Sequence, residues 1–223
     1  RLLDEYDYVI VGGADAGVFE MALKYFAGIG ALGNYNCPFD DAREGFVMGE
    51  GCGILILQSE EKVKEFGSTV HAKLYPVGAG SDAFDLTNPA EDGRGSKIAM
   101  DKALRGIDFI DAVSAHATST PAGDPIEYKV VTERFNNVPI YAPKSKIGHT
   151  LAAAGVLECI YGIESMKNGV IPHCQNLNNC SYDDKKVLLR EPVKLVGDTL
   201  RTLNNSFGFG GKCVSQVVEV NKS

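Results

Sequence analysis

A lysine and a histidine stand five residues apart in KSKIGHTLAAAG, residues 144–155, with a glycine directly before the histidine. Such a pair can set a fixed positive charge beside a group that donates hydrogen bonds or carries protons. The Ala-rich apolar run that follows predicts a helix with His149 on its first turn. Backbone N–H groups and the positive end of a helix dipole disfavour imidazolium there, so His149 is expected to stay neutral at pH 7 and able to donate. The same letters also suit a glycine turn that feeds a core helix with an incidental histidine at its cap. A second histidine, His116, ends the apolar run 110–115 and opens HATSTPAGD, whose Thr118 and Thr120 either meet a ligand or cap a turn. A third segment, NSFGFGG (205–211), alternates aromatic rings with glycines and by itself reads as a tight turn.

Composition narrows the setting of this chemistry. With 44% hydrophobic residues in 223, the chain can bury a sizeable core as one large or two small domains. No run of 18 apolar residues offers a membrane-spanning helix. A formal net charge of −7 argues against a general nucleic-acid surface. Six cysteines (Cys37, Cys52, Cys159, Cys174, Cys180, Cys213) form no CxxC pair, which suits reduced, structural thiols and a cytoplasmic setting.

The elements that must hold these residues read as an α/β unit with a β-rich end. DYVIVG (7–12) predicts a buried parallel strand closed by a turn at Gly12-Gly13, and 18–29 an amphipathic or buried helix. Phe46–Met48 and Gly53–Leu57 read as two strands joined through glycines, and Ser59 as the start of a short helix ending at Gly67. A strand over 70–80 leads to a polar loop, 81–93, long enough to line a site, then to a helix over 94–105. The strand 110–115 delivers His116 at its carboxyl end, where open α/β sheets meet ligands. Asp124, Pro125 and Glu127 predict the capped start of a helix. The helix over 149–168 is apolar nearly all round, so it must be covered on every side, as a layer between two sheets. A polar loop fills 172–186, and strands over 199–206 and 213–220 bracket NNSFGFGGKC.

Taken in order, PFDDAREGFVMGEGCG, HATSTPAGD, KSKIGH and NSFGFGG resemble the β-ketoacyl-acyl carrier protein synthases, decarboxylating condensing enzymes of the thiolase superfamily. The resemblance runs over essentially all 223 residues. It implies a thiolase-like layered α-β-α-β-α fold, with residues 1–60 as the tail of the first half and 61–223 as the second half. It maps the two histidines of an elongating Cys-His-His site onto His116 and His149, which would stabilise the enolate formed when a malonyl thioester loses carbon dioxide. Lys144 would organise the site. The Phe209 backbone N–H would serve the oxyanion of acyl transfer, between Gly208 and Gly210, and the Phe209 ring would act as a gate. Thr118 and Thr120 resemble the hydroxyls that hold a pantetheine arm, with Thr87 assisting. No metal or resident cofactor is implied; the substrates ride on the 4'-phosphopantetheine of acyl carrier protein, the expected partner, and the family forms homodimers.

Three small departures from the pattern are Ala117 and Ala152, where glycine is usual, and Asp15, where glutamate is common. The larger one is the nucleophile, which in the family lies just before the strand matched by DYVIVGG and would fall upstream of Arg1. None of the six cysteines has a matching context, and Cys52 and Cys159 are expected to be buried, poor thiolates. The chain is therefore expected to be the carboxyl-terminal part of a synthase, inactive in condensation alone. A non-catalytic partner subunit and an unrelated Cys/His hydrolase are the competing readings, and polyketide synthesis competes with fatty acid elongation.

Overall fold

In a computed structural model, residues 2–221 are described; Arg1, to which the upstream nucleophile was referred, lies outside them. The elements follow in the order α1 (Leu2–Glu5), β1 (Val9–Asp15), α2 (Glu20–Gly28), β2 (Gly51–Leu57), α3 (Glu60–Phe66), β3 (Lys73–Leu74), β4 (Gly78–Ser81), α4 (Arg94–Ala103) and β5 (Ala112–Ser114). They continue as α5 (Gly123–Arg134), β6 (Ile140–Tyr141), α6 (Lys144–Ile147), a single 3-10 turn (Leu151–Ala153), α7 (Ala154–Lys167), β7 (Val170–Ile171), β8 (Val193–Lys194), β9 (Thr199–Gly208) and β10 (Lys212–Asn221).

The main sheet runs β3-β10-β9-β5-β6, with β4 also paired to β10. β5 lies parallel to both β6 and β9, whereas β9 and β10 form a long antiparallel hairpin. Side chains alternate across a strand, so this hairpin feeds two cores. Leu203 and Val217 point to one face, packing with Met100 of α4 and Val130 of α5. Leu200, Val218 and Val220 point to the other, against Cys159, Ile163 and Met166 of α7. On its far side α7 meets the separate antiparallel pair β1–β2, whose Leu55 joins the same cluster. The helix without a polar face is thus covered by sheets on two sides, as its sequence requires.

Several local expectations are corrected. β1 pairs antiparallel to β2 and runs on through Gly12 and Gly13 to Asp15 instead of turning there. The glycines are needed for approach: a Cβ on Gly13 would lie 2.5 Å from the Ala152 carbonyl oxygen. Its outer face is open, with Ile10, Ile54 and Ile56 exposed, and α2 has no buried residue. Phe46 and Met48 make only isolated bridges, to Leu32 and His149, because the chain there threads between loops; the strand proper begins at Gly51. The stretch 70–80 splits into the short β3 and β4. The short helix at Ser59 forms as expected, its hydroxyl accepting from Lys62 N at 3.2 Å and Gly67 closing it in the left-handed conformation. Among the described residues no helix is long and apolar enough to cross a membrane.

Candidate active site

Parallel strands β5 and β6 end side by side, and each releases one segment of the site. After β5 the chain must turn sharply at His116. A carboxylate makes that turn: Glu127 of α5, buried, accepts from His116 N at 2.9 Å and from Ala117 N at 2.8 Å. Asn205 of β9 steadies it, donating from Nδ2 at 3.1 Å. Ala117 has φ +30°, a backbone state that L residues avoid, which accounts for a glycine preference at this place. The expected capping box is therefore wrong. α5 starts at Gly123, Asp124 lies inside it and accepts from Phe39 N at 2.8 Å, and Glu127 serves the histidine turn instead.

After β6 the segment KSKI forms its own short helix, α6, which Gly148 ends with φ +73°. His149 consequently sits on extended backbone before the next helix, not on its first turn. Loop 47–49 clasps it there, with His149 N donating to Val47 O at 2.8 Å and Gly49 N to His149 O at 3.0 Å. Its neutrality thus has another cause than a helix dipole: burial, then the nearby Lys144 charge, push its pKa down to about 3. His116 is held well below the ordinary histidine value by burial, by Lys144 and by His149. A second imidazolium beside an existing cation, away from water, is costly.

The two imidazoles meet edge to face with ring centroids 5.7 Å apart. Phe46 flanks His149 at 4.9 Å and Phe207 flanks His116 at 5.5 Å. Lys144, fully buried, contacts His116 Nδ1 at 3.2 Å and forms an ion pair with Glu158 of α7. Burial raises the Glu158 pKa against the pull of Lys144. An ammonium can only donate, so His116 Nδ1 accepts and its proton rests on Nε2. Leu151 N donates to His149 Nδ1 at 3.3 Å, which puts that proton on Nε2 as well. The site therefore offers two neutral N–H donors, fixed from behind by an amide and an ammonium.

Both rings open on a cavity of about 620 Å³. Its walls include the apolar Phe26, Ile29, Phe46 and Leu151 and the hydroxyl-bearing Thr87, Thr118 and Thr120. Gly208 and Phe209 line it too, the Phe209 ring being half exposed. Two candidates stand back from the wall: Lys144 lies behind His116, and Gly210 donates its N–H to Leu86 O at 2.7 Å, tying the 208–211 turn to loop 81–93. Glu158 and Glu127 were missed from sequence. An acid set among apolar neighbours, Leu157, Cys159 and Ile160, is the available sign for Glu158, since a buried charge requires a partner.

Five of the six cysteines, Cys37, Cys159, Cys174, Cys180 and Cys213, have thiols raised above the ordinary value, chiefly by burial. Cys52, expected to be buried, is exposed on β2 and does not line the cavity. Cys213 lines it, but burial with Asp82 and Glu127 nearby pushes its thiol up to about 12. Burial pushes Cys159 up to about 11 and raises Cys174 as well.

The sequence matches the description "Beta-ketoacyl synthase, N-terminal domain" over residues 2–63 and "Beta-ketoacyl synthase, C-terminal domain" over residues 71–178. The chain belongs to the beta-ketoacyl synthase family. This synthase-family chain is 35% identical to the mitochondrial 3-oxoacyl-[acyl-carrier-protein] synthase of Arabidopsis thaliana, the match covering 92% of the chain and 48% of that protein. The crystal structure of a beta-ketoacyl synthase from Burkholderia phymatum superposes with a TM-score of 0.86 at 29% identity, covering 100% of the chain and 56% of its counterpart. A similar fit, TM-score 0.87 at 27% identity, joins 97% of the chain to 56% of a chain in a complex of a type II polyketide acyl-carrier protein with its ketosynthase, bound to the hexaketide. The fold is thus the thiolase-like ketosynthase fold, and the chain spans about half the length of the relatives it matches.

Proposed function

We propose that this site carries out the decarboxylating half of a Claisen condensation, in which a malonyl thioester adds two carbons to an acyl thioester. The observation that carries the reading is that His116 and His149 pack edge to face and line one cavity, each with its Nδ1 engaged by another group, which leaves Nε2–H as the donor of each ring. Loss of carbon dioxide breaks the carbon–carbon bond to the carboxylate, and its electron pair is delocalised onto the thioester oxygen. Two N–H donors stabilise that oxyanion without surrendering a proton, which keeps the enolate nucleophilic. Its carbon then attacks the acyl thioester carbonyl, and the acyl-bearing thiolate leaves. The Phe209 N–H is the proposed donor to the tetrahedral oxyanion, with Gly208 and Gly210 allowing the bend. Thr118 and Thr120, whose hydroxyls lie 3.2 Å apart, and Thr87 are proposed to hold a pantetheine arm.

The thiolate that accepts the acyl group is proposed to be a cysteine outside the six of this chain, encoded upstream of Arg1. The raised thiols of Cys159, Cys174 and Cys213 support this, as does the position of Cys52 outside the cavity lining. Residues 1–60 then complete the first half of the fold and 61–223 form the second. Acyl carrier protein as partner, a homodimer as assembly and fatty acid elongation as pathway belong to the same proposal, resting on the resemblance to 3-oxoacyl-[acyl-carrier-protein] synthases. Carbon dioxide release from a malonyl thioester tests it. His149→Ala is expected to abolish release, and unchanged release would remove the role given to the histidines.

A further inference from the structure

Beyond the last rung of the β5–β6 ladder, Ala115 N to Tyr141 O at 2.9 Å, no backbone pairing among the described residues joins the loop of His116 to the turn of Lys144 and His149. Apart from the Lys144–His116 and His116–His149 contacts of the site itself, the side chain of Asn36 ties the two segments together. Asn36, buried in the loop between Leu32 and Phe46, accepts at Oδ1 from Ser119 Oγ at 3.0 Å and donates from Nδ2 to the Lys144 carbonyl oxygen. A carbonyl can only accept, so the amide orientation is settled. The Asn36 backbone is itself anchored, its carbonyl taking Asn176 Nδ2 at 2.8 Å while Asn176 Oδ1 takes Tyr35 OH at 2.7 Å.

Both tied segments hold backbone that would relax if released. Ser119 is buried at φ +60°, a left-handed state that a residue with a Cβ avoids. The Lys144 carbonyl also takes Gly148 N at 2.9 Å, so it fixes the turn that leads into His149. Asn36 does not line the cavity. We infer that Asn36 is a positioning residue, whose amide clamps the His116 loop to the Lys144 turn and so holds Lys144 Nζ against His116 Nδ1. Only a group that donates and accepts at this reach can do both: aspartate loses the donor, and serine or alanine is too short.

The clamp is tested without reference to turnover by nitrogen-15 NMR of the histidine side chains at pH 7. In the wild-type protein His116 should be a single Nε2–H tautomer with Nδ1 as acceptor. In Asn36→Ala its Nδ1 resonance should move toward that of mixed tautomers. His149, whose Nδ1 partner is the local Leu151 N, should keep its tautomer and serve as the internal reference. Ser119→Ala, which removes one arm and keeps the amide, should move His116 in the same direction by less, and it decides the matter if Asn36→Ala does not fold. An unchanged His116 spectrum in a folded variant overturns the inference. Its effect on rate rests on the decarboxylation reading. There, Asn36→Asp should lower kcat for malonyl thioester decarboxylation about tenfold to a hundredfold, the scale of a misplacement near 1 Å, with KM nearly constant. A wild-type protein carrying the proposed upstream part that releases no carbon dioxide would refute the decarboxylation reading, while the tautomer measurement would still decide the role of Asn36.

Discussion

Replacing His149 by glutamine should make the protein less sensitive to acid. In the folded chain the imidazole is held near pKa 3, whereas an unfolded histidine titrates at 6.5. The folded state thus favours the neutral ring, and below pH 6.5 the unfolded state binds a proton that the folded state refuses. The stability at stake is fully present above pH 6.5 and is lost as pH falls from there toward 3. Each pH unit crossed between those two values is worth about 1.4 kcal/mol, so between pH 7 and pH 5 this one residue costs about 2 kcal/mol. The limit, below pH 3, is about 5 kcal/mol. That is a large part of a stability of roughly 5–15 kcal/mol. His116, depressed for the same reasons, acts with the same sign, and the raised carboxyls of Asp124, Glu127 and Glu158 act with the opposite one. The carboxyls titrate in both proteins and cancel in the difference, and His116 stays depressed in both because burial and Lys144, the larger causes, are unchanged. Urea denaturation followed by circular dichroism at pH 7 and pH 5, on wild type and His149→Gln, measures that difference directly. Wild type should lose about 2 kcal/mol more than the variant over this interval, with equal urea dependence. Equal losses would mean that His149 titrates in the folded protein as it does in water. A ring so accessible to protons cannot be a neutral donor held against a developing enolate, and the proposed chemistry would fall with it.

Lys144→Met should destabilise the protein by about 3–5 kcal/mol, because it strands the buried Glu158 carboxylate; adding Glu158→Gln should recover much of the loss, and a double variant no more stable than the single one would contradict the pairing. Gly49→Ala should cost about 1–3 kcal/mol, since its Cβ would lie 2.4 Å from the Ile147 carbonyl oxygen in the clasp around His149. Gly28→Ala, with nothing within 4 Å at the end of α2, should be neutral or stabilise by up to about 1 kcal/mol, and thermal melts showing the two glycines alike would refute the packing assigned to Gly49.

Much of the fold was legible because burial writes itself into residue pattern. The stretch from Leu151 to Met166 has hardly a polar face, so a helix covered on both sides was the only stable outcome, and α7 is that helix. The strands expected over 199–206 and 213–220 form as β9 and β10, and α3 follows from Ser59 and Gly67 at its ends. Errors fell where local signals have tertiary uses. Glycines 12 and 13 read as a turn, yet they are strand residues, Gly12 lying close against Gly53 of β2 and Gly13 letting Ala152 approach; Asp124 and Glu127 read as caps, yet they serve Phe39 and the His116 turn.

The division for the site is similar. Residue types and motif order sufficed to nominate His116, Lys144 and His149, since few side chains can donate hydrogen bonds while neutral or supply a fixed charge. What sequence could not determine is why the rings are neutral, which nitrogen of each carries the proton, and what sets their separation. Those depend on groups distant along the chain: Glu158 pairing with Lys144, Glu127 bending the turn at His116, loop 47–49 clasping His149, and Asn36 spanning the two segments. Electrostatics and hydrogen bonding act through space over a few ångströms, so chain order records the participants and only the folded packing decides which of them touch.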